Sequence, residues 1–146
     1  TVIQEALLFD TEVKAKTRAD ITVLVVDDSL TVRRITQKFL LREGFQCILA
    51  KDGLDAIEKI SEHGVPSIIL SDIEMPNMDG FQFVEHVRTT VSKEVPIIMI
   101  SSRSIEKYEA HARALGVNKS IGKPYQEPEL LASIEVLTGL IEKESV

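Results

Sequence analysis

An α/β fold, with a parallel sheet covered by helices on both faces, is the class this chain predicts. Short β-branched apolar runs alternate with stretches of helical periodicity, five of each, from Ile21 almost to the end of the chain. The runs are apolar at consecutive positions rather than at every second one, as in strands buried on both faces. Strict alternation of strand and helix implies parallel pairing through right-handed crossovers.

The first run, Ile21-Thr22-Val23-Leu24-Val25-Val26, is stopped by the acidic pair Asp27-Asp28. Ser29 suits the N-cap of a helix reaching Arg42, with Val32, Ile35, Thr36, Phe39 and Leu40 predicted on its inner face and Gly44 as its stop. Phe45 to Ala50 reads as the second strand. The next helix, from about Leu54 to His63, turns Ala56, Ile57 and Ile60 inward and closes at Gly64 and Pro66. Ser67 to Ser71 is the third strand, with Asp72 at its carboxyl end. After the turn Asn77-Met78-Asp79-Gly80, the residues Phe81, Val84, Val87 and Arg88 mark a third helix. Pro96 introduces the fourth strand, Ile97 to Ile100, which ends in Ser101-Ser102-Arg103. A helix carrying Ala110, Ala112, Ala114 and Leu115 leads to Gly116, and Val117 to Ile121 is the fifth strand. Gly122-Lys123-Pro124 ends it, and a last helix runs from about Glu127 past Leu137.

A length of 146 residues, 44% hydrophobic and 27% charged, suits one soluble domain with a full core. The net charge of −6 argues against a nucleic-acid surface, which needs a basic patch. No apolar run approaches the ~18 residues of a membrane span. Cys47 stands alone, giving neither a disulfide framework nor metal-site spacing, and reads as a small core residue in a reducing, cytoplasmic setting. The chain begins Thr1-Val2-Ile3 without Met, which suggests a fragment of a longer protein. Residues 1–20 read as a linker; the alternative is an extra amphipathic helix, since Ile3, Leu7 and Leu8 fall at helical spacing. The domain is then expected over residues 21–140, with a tail at 141–146.

Taken alone, Asp72 could simply start a turn. Side by side, however, the strands present Asp27, Asp28, Asp72, Ser101 and Lys123 on one carboxyl edge, where open α/β sheets bind ligands. Clustered carboxylates repel one another and protonate unless a cation neutralises them. Oxygen ligands on separate loops suit Mg²⁺. Zinc finds no His or Cys cluster, and His63, His86 and His111 are expected to face solvent from helices. A carboxylate beside a hard cation can attack a phosphoryl group to give an acyl phosphate, with the metal and Lys123 screening the transferred charge and Ser101 donating a hydrogen bond.

Val25-Val26-Asp27-Asp28-Ser29, then Ser71-Asp72-Ile73-Glu74-Met75-Pro76-Asn77-Met78-Asp79-Gly80, then Ile100-Ser101-Ser102, then Gly122-Lys123-Pro124-Tyr125 resemble, in this order, the motifs of receiver domains of two-component response regulators. The resemblance spans about residues 21 to 138. It implies a CheY-like, flavodoxin-like fold with strand order 2-1-3-4-5. It also implies Asp72 as phosphoacceptor, Mg²⁺ held by Asp27, Asp28, Asp72 and the backbone carbonyl of Glu74, and phosphoryl contacts from Ser101 and Lys123. The donor would be a histidine kinase or its phosphotransfer domain, and the output face would be about residues 103–121, toward a downstream motility protein. A cis Lys123-Pro124 peptide is a further implication.

Ser102-Arg103, Glu106-Lys107, Gly116-Val117-Asn118 and Gly122-Lys123-Pro124-Tyr125-Gln126-Glu127 further resemble the C-terminal receiver of chemotaxis-type hybrid histidine kinases of the type IV pilus motility kind. The chain departs from the usual pattern in two ways. Ser120 stands where receivers commonly carry a Tyr or Phe, which puts aromatic gating in doubt. Glu74 and Arg103, each two residues beyond an active-site residue, are expected either to rim the pocket and alter the phosphoryl lifetime or to be solvated charges. Three other readings share the architecture: a free-standing single-domain response regulator, a flavodoxin-like cofactor domain, disfavoured because Asp27-Asp28 would repel an anion, and a pseudo-receiver that serves only assembly.

Overall fold

A computed structural model describes residues 16–102 and 105–141. Five parallel strands, β1 (Thr22–Val26), β2 (Gln46–Ala50), β3 (Ile68–Asp72), β4 (Ile97–Ser101) and β5 (Lys119–Gly122), form one sheet in the order β2-β1-β3-β4-β5. Between and after them lie α1 (Leu30–Arg42), α2 (Gly53–His63), α3 (Gly80–His86), α4 (Ile105–Leu115) and α5 (Glu127–Leu137), with α3 extended by a π turn over Val87–Val91. The predicted fold class and strand order are therefore those observed. Among the described residues, no helix is long and apolar enough to cross a membrane.

The sheet separates two cores. Alternate side chains of each strand point to opposite faces. Val23, Val25, Ile68, Leu70, Ile98 and Ile100 accordingly pack with Phe39 and Leu40 of α1 and Leu130 and Ile134 of α5. Leu24, Val26, Ile69, Ile97 and Met99 pack with residues of α2, α3 and α4 on the other side. Both faces are apolar because both are covered.

Several inner faces differ from expectation. Ile35 is 59% exposed, because α1 is rotated to bury Thr36, Phe39 and Leu40, one position further round the helix. On α3 the fully buried aromatic is Phe83, while Phe81 is half-buried with its ring 5.7 Å from Tyr108 and 4.7 Å from His111. Ala112 is buried on α4, but Ala110 and Ala114 face out. His63 and His111 are exposed as expected, whereas His86 is half-buried. The fifth strand starts at Lys119 rather than Val117: Gly116 turns the chain at φ 104°, and the side chain and amide of Asn118 bond the amide and carbonyl of Ile97, so pairing with β4 begins only after that turn. Cys47 is half-buried at the edge of the α1/α5 core, and burial pushes its thiol up to about 12.

At the amino-terminal edge of the sheet the chain enters through a single 3-10 turn, Arg18–Asp20. Thr17 and Asp20 cap one another, and the Arg18 guanidinium bonds the Glu43 carbonyl and carboxylate at 3.0 Å and Glu135 of α5 at 3.1 Å. It also lies 5.5 Å from the centre of the Phe45 ring. Glu135 is 8% exposed, so Arg18→Ala leaves a buried carboxylate without this partner. The expected cost is about 1–2 kcal/mol in denaturant unfolding, with Arg18→Lys recovering only part of it because the planar fork that serves two partners is lost. Of the N-terminal helix considered over residues 1–20, residues 1–15 lie outside the described residues, and Arg18–Asp20 form only the 3-10 turn.

Candidate functional site

The carboxyl edge of the sheet gathers the acidic residues. Asp27 follows β1 directly and is 4% exposed; its backbone amide bonds the Ala50 carbonyl, which continues the β1–β2 ladder past the strand. One carboxylate oxygen accepts the Ser29 amide at 2.9 Å and the other the Lys123 ammonium at 2.8 Å. Arg33, on the first turn of α1, donates to the Asp27 carbonyl at 2.7 Å. Asp28 is exposed beside it. Asp72 ends β3, with Oδ1 accepting the Ile73 amide at 2.8 Å and Oδ2 facing Lys123 at 3.3 Å. One carboxylate oxygen from each of Asp27, Asp28 and Asp72 lies within 4.8 Å of the others.

Lys123 enters this cluster from the end of β5, after Gly122 has paired with Ser101. Its amide donates to the Ser101 carbonyl at 2.8 Å, and the Lys123-Pro124 peptide is cis. Burial alone would lower the ammonium's pKa. The hydrogen bond and charge of Asp27, joined by Asp72, more than reverse that, so it stays protonated above its ordinary value. The Asp72 carboxyl is held above the usual carboxylate range, chiefly by burial and further by the Asp27 charge, with Lys123 pulling it back. Lys123 thus bridges two carboxylates that would otherwise repel.

Ser101 is buried at the neighbouring strand end, and Glu74 is exposed on the loop after Asp72. Asp27, Asp28, Asp72 and Lys123 thus meet directly, Ser101 adjoins them through the Lys123 backbone, and Arg103, the proposed companion of Glu74, lies outside the described residues. The donor set is all oxygen, from separate loops, with three carboxylates set against one ammonium. Such a set fits a hard divalent cation, and Mg²⁺ among them.

Two groups that support the loop after Asp72 are not evident from which residues end the strands. Asp52, 3% exposed, caps α2 through the Asp55 amide and accepts the Asn77 side chain at 2.9 Å, which fastens the loop after Asp72 to the α2 terminus. Burial opposes its charge, but these bonds and the nearby Lys51 charge hold its carboxyl below the usual range. The spacing Asp52-x-x-Asp55 at the end of a strand is the signal that could have marked it as a cap. The second group is Gly80. Its amide donates to the Ile73 carbonyl at 2.7 Å, and it packs so closely on the Asp72 carbonyl that a side chain there would overlap it.

The sequence profile of the response regulator receiver domain matches residues 23–135. "Protein PilG" of Pseudomonas aeruginosa is 38% identical over 114 residues, covering 77% of this chain and 84% of that protein. "Sensor histidine kinase RcsC" of Salmonella typhi is 29% identical over 133 residues, which span 91% of this chain but 14% of that protein. Among solved structures, chemotaxis protein CheY4 of Vibrio cholerae superposes with a TM-score of 0.75 at 30% identity, covering 80% of this chain and 98% of that one.

Proposed function

The chain belongs to the response regulator receiver domain family, and on that premise we propose that Asp72 accepts a phosphoryl group from a phosphohistidine of a histidine kinase or its phosphotransfer domain. The observation that carries this reading is the meeting of Asp27, Asp28 and Asp72 around the Lys123 ammonium at the carboxyl edge of the sheet. An Asp72 carboxylate oxygen attacks phosphorus, the N–P bond breaks, and its electron pair stays on the donor imidazole nitrogen, which takes up a proton. Water later attacks the acyl phosphate and returns inorganic phosphate and the free carboxylate.

Asp27, Asp28, Asp72 and the Glu74 carbonyl would hold Mg²⁺, which supplies charge that offsets the anionic oxygens of the transferred group. Lys123 places an ammonium against the same oxygens, and Ser101 offers its hydroxyl from the next strand end. The domain modifies only itself. Added charge of roughly −1.5 to −2 draws Ser101 and Lys123 inward and reshapes residues 103–121, the surface for a downstream partner.

Residues 21–140 form the receiver, with 1–20 as linker and 141–146 as tail, in a cytoplasmic protein. We place it at the C-terminal end of a chemotaxis-type hybrid histidine kinase of the type IV pilus motility kind. The motif resemblance supports this, and the match to a short part of a much longer sensor kinase is compatible with a hybrid parent, whereas the 84% coverage of a short relative favours the second reading, a free-standing regulator. The test is incubation with a small phosphodonor and Mg²⁺, read by intact mass. A gain of one phosphoryl group that disappears in Asp72→Asn is expected, and a gain that survives the substitution overturns the assignment.

A further inference from the structure

The β5–α5 connection carries a second anchor that the phosphoacceptor chemistry itself does not require. Two residues after Lys123, the Tyr125 hydroxyl shares a 3.0 Å hydrogen bond with the hydroxyl of Thr36, a side chain buried on α1. The Tyr125 ring packs at 6.4 Å from Phe39, one turn further along α1, and Arg42 pairs with Glu127 at 3.1 Å beyond it. The same helix is tied to Asp27 at its other end, through the Ser29 amide and the Arg33 guanidinium. The contacts close a ring: Asp27 to Lys123, along the chain to Tyr125, across to Thr36, and back along α1 to Asp27.

We propose that Thr36 and Tyr125 are positioning residues for Lys123, forming a latch that fixes the ammonium's reach between Asp27 and Asp72. This rests on the phosphoacceptor reading. The backbone of Lys123 is supported on one side by the Ser101 carbonyl. On the other side, the chain between β5 and α5 spans four residues and is anchored to α1 through Tyr125. Lys123 lies nearer Asp27, at 2.8 Å, than Asp72, at 3.3 Å. A phosphoryl group on Asp72 would draw it toward that side, and a fixed loop sets how far and in which direction.

Neither hydroxyl needs its partner for the fold. In Thr36→Val the Tyr125 hydroxyl opens onto a groove of about 540 Å³ lined by Val32, Ile35, Pro124 and Glu127, where water can reach it. In Tyr125→Phe the Thr36 hydroxyl can turn to a carbonyl of the preceding helical turn.

The experiment compares the unaltered chain with Thr36→Val, Thr36→Ser, Tyr125→Phe and the Val/Phe double variant. Phosphorylation by acetyl phosphate in saturating Mg²⁺ is timed per folded fraction, and the Lys123 side-chain resonance is followed by NMR on adding beryllofluoride. Val and Phe variants are expected to react about 3- to 10-fold more slowly, as a sub-ångström misplacement would produce. Thr36→Ser should keep the full rate, the double variant should be no slower than the slower single one, and the Lys123 resonance should differ from that of the unaltered chain in the Val and Phe variants. Unchanged rates, a Ser variant as slow as Val, additive losses or an unmoved Lys123 resonance would overturn the latch alone. An unaltered chain that takes up no phosphate overturns the phosphoacceptor reading and the latch with it.

Discussion

Lys123→Met is expected to slow phosphorylation of Asp72 by roughly 100-fold or more while tightening Mg²⁺ binding. The two effects have opposite signs because Lys123 plays two electrostatic parts. Its ammonium sits 2.8 Å from Asp27 and 3.3 Å from Asp72, so a divalent cation entering the cluster competes with it. Three carboxylates and one ammonium leave two negative charges at the site; the substitution leaves three, and attraction for the cation grows. When charge gathers on phosphoryl oxygens, however, a positioned donor is lost, and removing one such group costs about 10²- to 10³-fold. Titration calorimetry at a pH well above the carboxylate range gives the affinity, and intact-mass kinetics give the rate. A variant that binds Mg²⁺ more weakly would show that Lys123 organises the cluster rather than competing for it.

Gly80→Ala should destabilise the domain by about 1–3 kcal/mol, the usual cost of forcing extra volume into a packed site. The added methyl would overlap the Asp72 carbonyl oxygen and come within 2.9 Å of the Ile73 Cα, both main-chain atoms that cannot swing aside. The same carbonyl oxygen accepts the Ser71 hydroxyl at 2.9 Å, which leaves it little room to retreat. Relief must come from moving α3 or the Asp72 loop. The stability loss should therefore be accompanied by slower phosphorylation per folded molecule, measured by denaturant unfolding and mass kinetics on the same sample. Gly53→Ala makes a useful contrast: the nearest atoms its methyl would meet are the Met78 Cβ, Cγ and Sδ, side-chain rather than main-chain atoms, so a smaller loss is expected.

What could be read from the chain followed from how local each feature is. Apolar runs and their stops placed five strands and five helices, because each run buries both faces of a strand and needs no knowledge of its neighbours. The strand-end rule then brought Asp27, Asp72 and Lys123 to one edge, where they do meet. Contacts between side chains far apart in the chain stayed hidden. Thr36 and Tyr125 are 89 residues apart, and nothing in either neighbourhood names the other. Asn77 reaches Asp52 from a turn whose positive φ of 67° is set by the packed loop rather than by the dipeptide. The exposure of Ile35 had the same cause: its spacing allows burial, and only the docking of α1 against β2 and β1, with Tyr125 of the β5–α5 connection beside it, chooses Thr36 instead.

The Arg18 clamp and the acidic cluster lie at opposite ends of one strand. Chain entering at Arg18 is pinned where β1 begins, and Asp27 stands where β1 stops, about 17 Å away for a strand of five residues at roughly 3.3 Å each. In the proposed hybrid kinase, a phosphohistidine fused upstream would approach from the end of the sheet opposite to Asp72. Its tether must pass around the sheet, and the local concentration of donor at Asp72 is governed by whether the tether spans that depth. Delivery from a neighbouring molecule carries no such geometric restriction.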